Sequence, residues 1–225
     1  MTRRQVKFFF LFEAIPLTPS VPLKALTSQG RRFDVACRMI RSSLLFDGIP
    51  THNSVEAWFG SDGGKILPAI LSIDGHILDD VLLFKKFYSE LVLAKFLKQL
   101  AQGSSEVPGI EINALELSTD VQARFLDRMK LEKLEGRRAL VALHETGQAM
   151  VATGQEGALL FQDRETRGLS IVIGNHQGIP PAIEADLLQA CDHVLCLSTI
   201  TPEVGSQSIS YLGSHVIDML NYCFL

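Results

Sequence analysis

The sequence predicts an α/β fold built on a mainly parallel sheet, and three observations carry that prediction. Short apolar runs alternate along the chain with segments of helical spacing, the pattern of strands joined by crossover helices. The first of these runs, Phe8–Phe12, consists of aromatic residues and leucine, as in a buried strand. In the last third, three such runs each open into a loop rich in Gly, Ser or Thr. Ala139–Leu143 runs into His144-Glu145-Thr146-Gly147, Ser170–Ile173 into Gly174–Pro180, and His193–Leu197 into the polar stretch Ser198–Ser208. Parallel strands bring such loops to one edge, where open α/β sheets bind ligands.

Taken in order, Val6–Ala14 reads as a first buried strand and Pro16–Pro22 as a loop. Leu23–Gln29 reads as a short helical turn. Phe33–Phe46 has helical spacing, with Phe33, Ala36, Cys37, Ile40 and Leu44 on one face. Val55–Phe59 and Ile66–Ile73 read as strands around a Gly60–Gly64 turn. Asp79–Leu100 reads as one long helix whose buried side includes Leu78, Val81, Leu82, Phe84, Phe87, Leu91, Leu93 and Phe96. Its first turn carries Asp79-Asp80, where the helix dipole favours anions. Gly103–Pro108 is a loop, Ile110–Ile112 a short strand and Ser118–Leu134 a helix. A last helix is expected over about Gln207–Tyr222, with Ile209, Leu212, Val216, Ile217 and Leu220 on its apolar face. With no convincing linker and no internal repeat, residues 1–225 read as one domain.

Composition narrows the function. The chain has 225 residues, 47% hydrophobic and 20% charged, enough for a substantial core. Its 21 basic and 25 acidic residues give a net charge of −4. No overall basic excess marks a nucleic-acid binder, so any RNA contact must use a local patch. The two best are Arg3-Arg4 with Lys7, and Arg31-Arg32 with Arg38 and Arg41. Cys37, Cys191, Cys196 and Cys223 form no Cys-x-x-Cys pair and read as buried small hydrophobes of a reducing compartment. Cys191, His193 and Cys196 lack a second ligand pair at zinc-finger spacing. Arg3-Arg4 before Phe8–Phe12 has the look of an export signal, but Glu13 cuts the apolar run short of the roughly 7–15 residues required. No stretch reaches the roughly 18 apolar residues of a membrane span. A soluble, cytoplasmic protein is expected. Walker, Gly-x-Gly-x-x-Gly, Gly-x-Ser-x-Gly and His-Glu-x-x-His motifs are absent, which disfavours hydrolase and P-loop chemistry.

Several segments together resemble one known family. Gly30-Arg31-Arg32-Phe33-Asp34-Val35-Ala36-Cys37-Arg38, continuing to Ser42–Phe46, resembles the Gly-Arg-Phe-Asp-Val helix of the TrmY family. These are tRNA pseudouridine N1-methyltransferases of the SPOUT class. Pro108–Ile112 is similar to that family's Pro-Gly-Ile-Glu-Val strand. Val141–Gly147 is similar to its Leu-His-Glu-x-Gly strand end, and Ile171–Pro180 to its Gly-Asp-His-Ile-Gly-Leu-Pro loop. Order and approximate spacing agree from about Val6 to Met219.

The resemblance implies a SPOUT-type mainly parallel sheet flanked by helices, with a C-terminal deep trefoil knot and a homodimer that packs through the knot region. It implies S-adenosyl-L-methionine as cofactor, held at Leu143, Gly174, Leu197, Ser198, Thr199, Ile200, Thr201, Pro202 and Ser208. It implies a tRNA partner, with methylation at pseudouridine 54 of the T-loop. Ser208 stands where the family carries a cysteine, and Asn175 replaces an aspartate. The third loop keeps the family's length but not its Gly-Pro or Asp-His-Cys.

Methyl transfer to pseudouridine N1 releases one proton, which a nearby carboxylate can accept. Asp34 is the candidate, with Arg31, Arg32 and Arg38 as RNA-phosphate contacts that also keep it ionised. The structural alternative is a first-turn aspartate favoured by the helix dipole, with solvated arginines. His144, Glu145 and His176 lie on loops of the same expected edge and are candidates for contact with base or ribose. The function alternatives are a SPOUT methyltransferase for another RNA base or ribose, and an inactive RNA-binding relative.

Overall fold

A computed structural model describes residues 5–20, 23–24, 32–61, 65–103, 106–149, 168–174 and 178–196. Among them a seven-stranded sheet runs in the order β6-β5-β4-β1-β8-β7-β9. Its strands are β1 (Gln5–Phe12), β4 (Ser54–Phe59), β5 (Ala69–Asp74), β6 (Ile110–Ala114), β7 (Ala139–Ala149), β8 (Gly168–Ile173) and β9 (His193–Cys196). β4, β1, β8, β7 and β9 pair in parallel, while β5 and β6 add an antiparallel edge. The mainly parallel α/β architecture is therefore the one the sequence predicts.

Both faces of the sheet are covered, which explains the unbroken apolar runs. Along β1, Phe8, Phe10 and Phe12 enter one core, together with α1 (Phe33–Leu44), Leu83 of α2 (Asp80–Lys86), and α3 (Glu90–Ala101). Phe9 and Leu11 enter the other, beneath α4 (Val121–Glu135) and α5 (Pro181–Ala190). All five of these side chains are buried. Trp58 lies in this second core, edge-on to Phe125 with ring centroids 5.8 Å apart. A short hairpin, β2 (Leu45–Phe46) and β3 (Ile49–Pro50), follows α1. It turns at Asp47-Gly48, both at positive φ as a primed two-residue turn demands.

The structure corrects the sequence reading in several places. The helix expected over Phe33–Phe46 ends at Leu44, where β2 begins. The long helix expected over Asp79–Leu100 is two helices. Asp79 caps the first by accepting from the Val81 amide, and Ser89 starts the second by accepting from the Val92 amide at 3.3 Å. With the axis broken at Phe87–Ser89, Val81, Phe84 and Leu91 lie exposed rather than buried. β5 begins at Ala69, not Ile66, because Pro68 precedes it. β7 stays extended through Ala149, although its pairing with β8 ends at Leu143 and its register with β9 shifts between Leu143 and Gln148. The expected turn over Leu23–Gln29, the terminal helix and the knot segment fall largely or wholly outside the described residues.

Cys37 and Cys191 are buried and free. Burial, with the Asp34 and Glu90 charges adding to it, holds the Cys37 thiol well above its ordinary value. Burial beside Asp192 pushes the Cys191 thiol up to about 12. Thiolate is the reactive form. A thiol reagent at pH 8 is therefore expected to label neither cysteine in the native protein and both after denaturation, read by peptide mass mapping.

Candidate functional site

The parallel strands define one edge by their C-terminal ends: Phe12, Phe59, Leu143, Ile173 and Cys196. At that edge the chain leaves β1 and β8 in opposite directions. β1 leads to α1 over the first core, and β8 leads to α5 over the second. The two strands are direct neighbours, Phe10 beside Ile173. Diverging connections between adjacent strands open a crevice at their C-terminal ends, the general ligand position of such sheets. The beginning of α1 lies on one side, and Gly174 with Gly178–Pro180 on the other.

The α1 side carries charge. Phe33 packs on Phe59, itself against Phe12, with ring centroids 6.1 and 5.3 Å apart. This contact seats the first turn of α1 at the ends of β1 and β4. Asp34 is buried there, its side chain 8% exposed. Arg32 reaches it through two bonds, Nε to Oδ1 at 3.2 Å and Nη2 to Oδ2 at 3.3 Å. Arg38, one turn on, comes within 3.6 Å of Oδ2 and equally within 3.6 Å of Glu90 at the start of α3. Arg41 also lies 4.0 Å from Glu90. The basic segment seen in the sequence is thus interlocked with two carboxylates. Asp34 was legible from the motif, but Glu90 was not, because it is brought in by the packing of α3 on α1.

The β7–β8 side is tighter and more apolar. Leu143 is half-buried against the first core. Gly174 follows β8 directly. A Cβ built on it would lie 2.3 Å from the Gly178 carbonyl carbon and 2.7 Å from the Ile179 amide nitrogen. The main chain of the loop therefore closes on itself only because residue 174 has no side chain. Gly174→Ala is expected to destabilise the fold by about 1–3 kcal/mol, as overpacking does, measured by urea unfolding. His144 follows Leu143, and its Nε2 lies 3.2 Å from Glu184 in the first turn of α5, tying β7 to the helix that follows the Gly174 loop. Of the remaining candidates, Arg31, Asn175, His176, Leu197–Pro202 and Ser208 lie outside the described residues, as does the side chain of Glu145.

A second polar cluster, missed in the sequence, lies toward the opposite end of the strands beneath α4. Lys7 bonds Glu56 at 2.6 Å, and the Trp58 indole donates to Glu56 at 3.0 Å. Arg128 spans Glu56 at 3.4 Å and Glu132 at 2.7 Å. Glu132 also accepts from the Ser170 hydroxyl at 2.6 Å and lies 3.6 Å from Arg138. Lys7 and Arg128 both stand over the Phe9 ring. Polar Lys7, Glu56 and Ser170 within apolar strands were the available signal. Register and α4 bring them together.

With this geometry in view, whole-chain comparisons extend the motif resemblance. The chain is 24% identical over 207 residues to the tRNA (pseudouridine(54)-N(1))-methyltransferase of Thermococcus onnurineus, covering 88% of this chain and 86% of that protein. It is 27% identical over 204 residues to the protein of the same name from Thermococcus gammatolerans, covering 90% and 88%. No family profile matches the chain. Among solved structures, Archaeoglobus fulgidus Nep1 bound to S-adenosylhomocysteine aligns at a TM-score of 0.49 and 12% identity, over 97% of this chain and 98% of that one.

Proposed function

We propose that this chain is an S-adenosylmethionine-dependent RNA methyltransferase that methylates N1 of a pseudouridine in tRNA, at position 54 as its relatives' name states. The observation that carries this reading is the match of nearly the whole chain to two proteins bearing that one name. The edge described above fits such a cofactor. In this reading Leu143 supplies an apolar wall, and Gly174, packed closely on the main chain of Gly178 and Ile179, stands beside it. Leu197–Pro202 and Ser208 complete the cofactor wall in this reading. The C-terminal segment is read as the trefoil knot, and two copies as a cytoplasmic homodimer, on the family resemblance.

When bound, the cofactor supplies an electrophilic methyl group on a sulfonium. The chain's residues align the base for in-line attack and take one proton. Attack of N1 on that methyl group would form the new N–C bond at the expense of the C–S bond, and Asp34 would take the N1 proton. The Arg32 and Arg38 guanidiniums lie against that carboxylate and fix its position. The test is nucleoside mass spectrometry of a tRNA carrying pseudouridine at position 54, incubated with protein and cofactor. N1-methylpseudouridine is the expected product, and its absence overturns the reading.

A second reading rests on the third loop, where Leu197–Ser208 departs from the family's residues and Ser208 replaces its cysteine. On that reading the methyl group appears on another base or a ribose in the same experiment. An inactive RNA-binding relative would show no cofactor binding in calorimetry at millimolar concentration.

A further inference from the structure

We infer that Arg32 is a positioning residue for Asp34, not an RNA-phosphate contact; this deepens the reading above and rests on it. Two independent features of Arg32 point the same way. Its backbone is left-handed, at φ 66° and ψ 33°, at the N-cap of α1. An L-residue with a Cβ is strained there, whereas glycine is not, and asparagine or aspartate is tolerated. Nor does its side chain cap the helix. Local structure therefore gives no reason for an arginine at this position, and strain of this kind persists where a function holds it.

The reason lies two residues on. The guanidinium folds back and engages both oxygens of Asp34, at 3.2 and 3.3 Å. Among the described residues no other side chain is shown bonding both. Arg38 meets only Oδ2, at 3.6 Å, and divides its charge with Glu90. The planar fork of Arg32 thus fixes the plane of the Asp34 carboxylate, and the left-handed backbone turns the side chain back to reach it. A guanidinium committed in this way carries little net charge to offer a phosphate. Its partner is 8% exposed and its own side chain 35%. The arginine holds the base aimed.

The experiment compares wild type with Arg32→Gly and Arg32→Lys. It measures kcat and KM for pseudouridine-54 tRNA at saturating cofactor, and the salt dependence of RNA binding. Glycine relieves the backbone strain, so Arg32→Gly is expected to melt within about 4 °C of wild type. Its kcat is expected to fall about tenfold or more, with KM for RNA and the slope of log Kd against log salt unchanged. Lysine keeps the charge but not the fork, so Arg32→Lys is expected to lose kcat as well. A salt slope reduced by about one with kcat intact would make Arg32 a phosphate contact and overturn the inference. Early melting of Arg32→Gly leaves the decision to Arg32→Lys, where wild-type kcat overturns it. An active wild type with active variants removes only this inference. A wild type that methylates no tRNA removes both it and the reading on which it rests.

Discussion

Asp34→Asn is expected to slow methyl transfer by about 10²–10⁴-fold, the range general bases contribute, while leaving cofactor affinity unchanged. The amide keeps the size and most of the shape of the carboxylate but cannot take the N1 proton. Its placement is what makes the loss separable from binding. Asp34 sits on the α1 side of the crevice, whereas the cofactor wall is assigned to Leu143 and Gly174 on the other side. Single-turnover kinetics and calorimetry with S-adenosylhomocysteine measure the two effects independently. The substitution also leaves Arg32 and Arg38 facing a neutral group, so part of any fall in stability reflects unpaired cations. The melting curve of the same variant measures that part. A variant that transfers methyl groups at the wild-type rate would remove Asp34 from the mechanism.

The largest effect on stability is expected at Glu132. Its side chain is 4% exposed and holds Arg128, Arg138 and Ser170 at once. Glu132→Gln removes the one negative charge that Arg128 and Arg138 share and leaves Arg128 facing Glu56 alone, a loss in a buried network that costs about 3–5 kcal/mol. Urea unfolding at pH 7 checks the magnitude. Its pH dependence checks the cause. Burial alone would raise the Glu132 carboxyl, but the Ser170 hydrogen bond and the Lys7 and Arg128 charges outweigh it and hold the group below its ordinary value. A carboxylate depressed in the folded state stabilises above its unfolded pKa of about 4.3. That contribution fades as pH falls through the lower folded value. The gap between wild type and Glu132→Gln is therefore expected to be widest near neutrality and to narrow below about pH 4. A gap that does not change with pH would assign the loss to packing rather than charge.

The break between α2 and α3 shows where local pattern misleads. Val81, Phe84 and Leu91 continue the apolar spacing of a single helix, and nothing in hydrophobicity marks a stop. Ser89 was the available signal, since a serine ahead of Glu90 and an apolar run is a competent N-cap. The Asp47-Gly48 hairpin was similarly available, because an Asp-Gly dipeptide supplies both positive φ angles of a primed turn. β7 is a different case. The pattern ends the strand at Leu143, where its pairing with β8 stops, yet the backbone remains extended alongside β9 through Ala149, which sequence separation conceals.

By itself the sequence determined the α/β class, the mainly parallel sheet and the chemistry to look for. Phe8–Phe12 has no polar face, so its strand must be covered on both sides, and burial is a property each residue carries in its own side chain. The apolar runs ending at Leu143 and Ile173 likewise indicated two loops that leave the same edge of the sheet. Tertiary structure alone decided how charges are partnered. It turned Arg32 back onto Asp34 instead of toward solvent, brought Glu90 from α3 to Arg38, and closed Lys7, Glu56, Arg128, Glu132 and Ser170 into one network. The physical reason is range. Hydrophobic burial follows composition and local period, whereas a hydrogen bond or ion pair requires two particular groups within about 3–4 Å. That proximity is set by strand register and helix packing between residues as far apart as Lys7 and Glu56 or Glu132 and Ser170.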